Sequence, residues 1–243
     1  MFNYFITSTG RKIPAVTSEQ MILIDKIAFE ETGPDYPQMM ENAGRDLAVA
    51  ALEMTGDLWK EIKIGIFAGK GGNGGGGICC ARHLANRGIF VDLILIEKEN
   101  MIDINYGQLN SFRNTGLTEK TLADVQHEKY DLIVDALIGY NLKGVPDPKY
   151  SEAINFINSN AVRILSNDVP SGLDATTGVT PGVVVKAAKT LTLGIPKTGL
   201  NPIYCGDIIL GDLGIPLLTY KKAGIELSEP LFENNYYFEI SPI

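Results

Sequence analysis

Seven glycines fall between residues 69 and 77, inside AGKGGNGGGGICCARHL, where an apolar strand passes into a helix. Glycine lets a backbone turn tightly and approach a ligand with no Cβ in the way, and free N–H groups at a helix start suit a phosphate or pyrophosphate. A flexible linker is the plain alternative, but linkers do not usually join a buried strand directly to a helix within one compact unit. The G-x-G-x-x-G spacing occurs at Gly69, Gly71 and Gly74, although so glycine-rich a run matches several registers. No Gly-Lys-Ser/Thr follows, and Lys70 precedes the turn, so an NTP-hydrolysing loop loses its usual warrant. Lys70 and Lys143 are the candidate cations for a small anionic ligand.

Two carboxylates stand at the ends of apolar runs: Asp135 in YDLIVDAL and Asp168 after VRILSN. Ligands of open α/β sheets bind beyond the carboxyl ends of the strands, which makes both candidates for a site. Each also has a plain reading, Asp135 as a strand-end residue and Asp168 as a turn carboxylate; Asp174 is the better candidate for such a cap. Ser171 has no neighbouring histidine, and Pro170-Ser171-Gly172 is not a G-x-S-x-G nucleophile elbow. Cys79 and Cys80 read as small core residues, and His83 and His127 as surface or capping groups, since no metal-ligand spacing is present.

These residues need a scaffold. Thr17 and Gln20 form a capping box ahead of a helix over about 18–31, and Met40, Ala43, Leu47, Ala50, Ala51 and Met54 mark a second helix ending near Gly56. Strands are expected at 62–68, 90–96, 130–137, 162–167, 190–193 and 207–210, with helices at 78–85, 102–114 and 151–158. This alternation predicts an α/β fold, a three-layer α/β/α sandwich in which the loops near 69–77, 135–145 and 168–174 share one rim.

The 243 residues read as a single domain over 1–243, with an N-terminal extension at 1–16 and a C-terminal tail at 228–243. Phe232, Tyr236, Tyr237 and Phe238 in that tail are expected to pack on their own domain or on a second subunit. A net charge of -8 argues against nucleic acid or an anionic membrane as partner. Three cysteines without a disulfide framework fit a reducing cytoplasm, and neither a signal peptide nor a membrane span is expected.

AGKGGNGGGGICCARHL, VDALIG and above all DVPSGLDATTG, together with MMENAG, GIPKTGL and DLGIP, resemble the NAD(P)H-hydrate epimerase family, the YjeF N-terminal domain, from about residue 17 to 216. The resemblance implies a Rossmann-like fold with a mostly parallel sheet, a homodimer, and interconversion of the R and S forms of NADH or NADPH hydrated at C6 of the nicotinamide (NADHX and NADPHX). A separate NAD(P)H-hydrate dehydratase would then act on the S form. Carried over by position, the substrate-binding turn falls on Gly72, Asn73, Gly74, Gly75 and Gly76. The second ligand loop falls on Gly139, Tyr140, Asn141, Leu142, Lys143, Gly144 and Val145, and Asp168 is the substrate-contacting, catalytic acid. A potassium ion would lie among Asn73, Asp135 and Ser171, oxygen donors that suit a hard cation. The chain departs from the family where Gly72 and Gly76 replace Asn and Asp, and where Tyr140 and Asn141 replace Thr and Gly. Those departures open a second reading, a non-catalytic nucleotide-binding or scaffold module on the same fold.

Overall fold

A computed structural model describes residues 1–243. The chain opens with a short hairpin, β1 (Tyr4–Thr7) and β2 (Lys12–Pro14). Helix α1 (Ser18–Ile27) starts at the expected capping box: Gln20 N donates to Thr17 Oγ1 at 3.2 Å and Thr17 N donates to Gln20 Oε1 at 2.9 Å. One π turn (Ala28–Thr32) follows, then α2 (Tyr36–Thr55), started by a second capping box at Asp35 and Gln38. The alternation continues through β3 (Ile64–Ala68), α3 (Gly72–Ala85), β4 (Val91–Leu95), α4 (Asp103–Arg113), β5 (Tyr130–Ala136), α5 (Pro148–Asn160) and β6 (Ala161–Asn167). The chain ends with β7 (Lys189–Leu193), α6 (Pro202–Cys205), β8 (Asp207–Gly211), α7 (Leu217–Lys222) and β9 (Tyr237–Pro242).

All nine strands form one sheet in the order β2-β1-β9-β8-β7-β6-β5-β3-β4. From β4 to β8 the neighbours are parallel, and the remaining pairings are antiparallel. Every residue of β3 and β4 is buried, as strands covered on both faces must be. Ile64, Ile66 and Val134 pack with Leu47 of α2 and Ile78 and Leu84 of α3 on one face; Phe67 and Ile133 pack with Ile154 and Ile157 of α5 on the other. Met21 and Ile24 of α1 pack with Phe5, Ile208, Leu210 and Tyr220 in a further core cluster. The result is the expected three-layer α/β/α sandwich on a mostly parallel sheet. The chain leaves β3 toward β4 and returns to β3's other side with β5, so a crevice opens between the loops after β3 and β5.

Local periodicity marks no strand in residues 1–16 or 228–243, yet β1, β2 and β9 lie there, and β9 is inserted between β8 and β1. These strands are three to six residues long. Their assignment depends on pairing between distant parts of the chain, as in Phe5 with Pro242, which local periodicity cannot report.

The glycine run also differs from expectation. Helix α3 begins at Gly72, not near Ile78, so five of the glycines are helical and none of the run has a positive φ. Close approach, not turning, requires them. A Cβ on Gly74 would lie 1.8 Å from the Gly69 carbonyl oxygen, and one on Gly77 would lie 2.6 Å from Ala136 Cβ in β5. Gly44 on α2 is the counterpart, where a Cβ would fall 2.4 Å from Cys79 Cβ. Glycine costs a helix roughly 1 kcal/mol per residue relative to alanine, so tertiary packing must supply what propensity does not. A Cβ on Gly72 meets nothing within 4 Å. In denaturant titrations Gly74→Ala should therefore destabilise the fold by about 3 kcal/mol, because backbone cannot give way, while Gly72→Ala should stay within about 1 kcal/mol of the parent.

Candidate active site

At the carboxyl ends of the parallel strands a cavity of about 760 Å³ opens beside the first turn of α3. Gly72, Asn73, Gly139, Tyr140, Asn141 and Leu142 line it, as do Lys143, Val145 and Asp168. Gly74, Gly75 and Gly76 do not; they are buried in α3, where the missing Cβ atoms make room for protein, not ligand. Gly144 supplies a positive φ of 69° to the second loop without lining the cavity, and Asp135 and Ser171 are fully buried outside the lining.

Asp168 follows β6 directly and is the sole non-glycine residue with positive φ, at 65°. Aspartate tolerates this left-handed region better than most residues, and such strain recurs at functional sites. Lys197, with 0% exposure, donates from Nζ to Asp168 Oδ1 at 2.5 Å and to the Leu193 carbonyl at 2.8 Å. A buried lysine needs such a partner, since removing either charge alone would strand the other in low dielectric. Asp168 Oδ2 accepts only the long 3.3 Å bond from Tyr140 N, so this oxygen remains the freer one. The Tyr140 ring lies beneath Lys197, with Nζ 5.7 Å from its centroid, and the Tyr140 hydroxyl donates to Asp25 Oδ2. Burial pushes the Asp25 carboxyl up to about 6, against the hydrogen bond from Tyr140 and the positive charge of Lys197. Burial and the neighbouring Asp25 hold the Tyr140 phenol well above its ordinary range, so it remains protonated.

Behind the cavity, Asp135 is held by four donors. Ser171 Oγ donates to Oδ1 at 2.6 Å, Ser171 N and Ser166 Oγ to Oδ2 at 2.9 and 2.8 Å, and Leu137 N to Oδ1 at 3.3 Å. Burial raises its pKa while these bonds oppose the shift. Asn73 is engaged elsewhere: Asn167 Nδ2 donates to Asn73 Oδ1 at 2.9 Å, leaving Asn73 Nδ2 and Asn167 Oδ1 buried without partners. Asn105 of α4 donates to the carbonyls of Lys70 and Gly71 at 3.0 and 2.9 Å, fixing the approach to α3.

Asp25, Lys197 and Asn167 were not among the site residues expected from sequence, although all three line the cavity. Asp25 carried a usable signal: it lies four residues after Met21 and three before Ala28, which puts a carboxylate on the apolar face of α1. Lys197 lies within GIPKTGL, one of the stretches that carry the resemblance, while Asn167 carried no signal beyond its place at the end of β6. Asp174 is the turn cap expected of it, accepting from Thr176 N and Thr177 N at 3.0 and 2.7 Å. Away from the cavity, Glu41, Cys79 and His83 form a compact cluster between α2 and α3. Arg82 already supplies its cation, donating to Glu41 Oε1 at 2.7 Å, and burial pushes the Cys79 thiol up to about 12.

The sequence model for the YjeF-related protein N-terminus matches residues 37–199. An NAD(P)H-hydrate epimerase of Dehalogenimonas lykanthroporepellens is 44% identical over 222 residues, spanning 91% of this chain and 91% of that protein. One from Elusimicrobium minutum is 33% identical over 85% of this chain and 98% of its own length. A bifunctional NAD(P)H-hydrate repair enzyme of Hyperthermus butylicus is 38% identical over 83% of this chain, which spans only 38% of that longer protein. The crystal structure of the yeast protein ynu0 superposes with a TM-score of 0.80 at 22% identity, covering 95% of this chain and all of its own, a likeness of fold. Glycine helix, strand-end aspartates and full-length relatives thus agree, and the chain belongs to the YjeF-related N-terminal family.

Proposed function

We propose that this protein epimerises the R and S forms of hydrated NADH and NADPH. The observation that carries the reading is the buried Asp168–Lys197 pair at the floor of a cavity that begins at the open first turn of α3. The volume of about 760 Å³ falls within the roughly 300–1,000 Å³ range of small-molecule sites. Helix α3 has no side-chain cap, and apart from the adjoining backbone nothing lies within 4 Å of where a Cβ on Gly71 or Gly72 would be. A pyrophosphate would sit there, with the unbonded N–H groups and helix dipole facing it and Lys70 and Lys143 on the cavity wall. The nicotinamide end would then reach Asp168, whose Oδ2 is free to exchange a proton while Lys197 fixes Oδ1.

The binding-module reading rested on Gly72 and Gly76. A Cβ on Gly76 would lie 3.0 Å from Asn167 Nδ2, so a family aspartate and Asn167 would compete for one space. The departure is thus matched by a neighbouring polar residue that lines the cavity, and the relatives named as epimerases favour catalysis. The same proposal includes a homodimer, a reducing cytoplasmic setting in keeping with three free cysteines, and a dehydratase consuming the S form. The bifunctional relatives support that last link.

A potassium ion fits the residues present. Asp135 is a buried carboxylate with no cationic side chain beside it, Ser171 adds a hydroxyl, and Asn167 Oδ1 is a buried oxygen lacking a donor. An oxygen-only set with one formal charge suits a monovalent hard cation. Asp135, Ser171 and Asn73 would hold it, Asn73 by exchanging its bond with Asn167. When bound, the ion supplies positive charge and stiffens the loops after β3, β5 and β6.

Two measurements test this. Purified protein should convert the R hydrate to the S hydrate, and Asp168→Asn should lower kcat about a hundredfold to ten-thousandfold while still binding nucleotide, since the amide keeps the shape but cannot take a proton. Nucleotide binding by an inactive wild type would instead favour the module reading. For the ion, crystals soaked in thallium or rubidium should give an anomalous peak among Asn73, Asp135 and Ser171. All three side chains directed elsewhere with no peak would remove it.

A further inference from the structure

Epimerisation at a carbon bearing a hydroxyl requires proton delivery as well as proton removal, and Asp168 alone provides one group. Asp25 and Tyr140 line the same cavity, joined by the hydrogen bond from the Tyr140 hydroxyl to Asp25 Oδ2, and Asp25 has no role so far. Asp25 comes from a different layer than Asp168, helix α1, while Tyr140 is in the loop after β5, beside the strand that leads to Asp168. Tyr140 links the two sites, since its N–H donates to Asp168 Oδ2 while its hydroxyl holds Asp25. Ser18 Oγ further ties α1 to that loop by donating to the Tyr140 carbonyl at 2.9 Å.

We infer that Asp25, positioned by Tyr140, is a second catalytic residue, the general acid that protonates the departing C6 hydroxyl while Asp168 accepts the proton of the incoming water. The inference rests on the epimerase reading. A proton passes from the Asp25 carboxyl to the hydroxyl as the C6–O bond breaks with both electrons on oxygen, and the N1 lone pair of the ring forms a C6=N1 bond. Water then adds to the other face of C6, the π electrons return to N1, and the lost proton goes to Asp168. One hydroxyl leaves and one arrives, no oxidant is needed, and the opposite conversion returns the proton from Asp168 to Asp25.

The surroundings favour this division of labour. Lys197 contacts Asp168 directly, whereas Asp25 is hydrogen-bonded to a phenol and feels the ammonium only from farther off, so the two carboxyl groups meet different environments. The titratable groups facing Asp25 are Tyr140, Lys197 and Asp168, with Tyr36 of α2 and Tyr220 of α7 beside them. Lys197 and the Tyr140 bond favour its ionised form; burial and Asp168 favour the protonated acid.

The test is the pH profile of kcat/KM for the R hydrate of NADH, corrected for uncatalysed epimerisation. Wild-type activity should fall as pH rises through the Asp25 pKa of about 6, because only the protonated acid can donate. Asp25→Asn should lose about a hundredfold or more and lack that limb, while Asp25→Glu should regain part of both. Tyr140→Phe removes a bond that stabilises the carboxylate, so the limb should move to higher pH, which a merely structural tyrosine would not cause. If Asp25→Asn does not fold, the Tyr140→Phe shift decides alone. An active wild type with an inactive Asp168→Asn but an unimpaired Asp25→Asn, or a limb unmoved in Tyr140→Phe, overturns this inference and leaves the epimerase reading standing. An inactive wild type overturns both.

Discussion

The contact of α3 with its surroundings sets the position of everything else. A helix with ordinary side chains could not lie against Ala136 of β5 and the Gly69 carbonyl at the spacing found here, and Gly44 of α2 makes the room for Cys79. The glycines bring the helix start to the strand ends, and that start forms one wall of the cavity. The cost is a helix of poor intrinsic propensity, so α3 exists because α2, α4 and the sheet hold it. Rigidity at the ligand edge is therefore borrowed from the core, and Asn105, reaching from α4 to the carbonyls of Lys70 and Gly71, extends it into the loop.

Against that fixed wall the second wall is built from charge. Lys197 is fully buried and is held by Asp168 and the Leu193 carbonyl, so the loops after β6 and β7 are joined at one point. Tyr140 brings in the loop after β5, and its hydroxyl reaches α1. Four segments thereby meet around one carboxylate whose backbone is in the left-handed region. A buried pair of this kind specifies geometry more than it stabilises, because desolvating both charges offsets much of their attraction.

The parallel strands were legible because strands buried on both faces read as continuous apolar runs, as IGIFA and VDLIL nearly do. Asp168 was legible because it opens a specific motif at a strand end. The start of α3 was not, since glycine propensity argues for a loop and only tertiary contact overrides it. Lys197 and Asp25 were obscured for a related reason. Their partners lie 29 and 115 residues away, and only the fold brings those groups together. Asp25 nevertheless sat on an apolar helix face, and a carboxylate in such a stripe is evidence of a partner or a task.

The order of strands at the far edge has a consequence for how the chain is assembled during synthesis. The hairpin of β1 and β2 is made first, but its only neighbour in the sheet is β9, the last strand made. Until residues 237–242 leave the ribosome, Phe5 has no strand beside it except β2, and an isolated two-stranded hairpin is marginal in water. The strands of the parallel β4-to-β8 region all lie within residues 64–211, ahead of β9 in the chain, so the edge is the last part of the sheet to be completed. Phe5 with Pro242 is the longest-range pairing in the sheet, and long-range strand pairing is slow. The β1–β2 hairpin thus waits for β9.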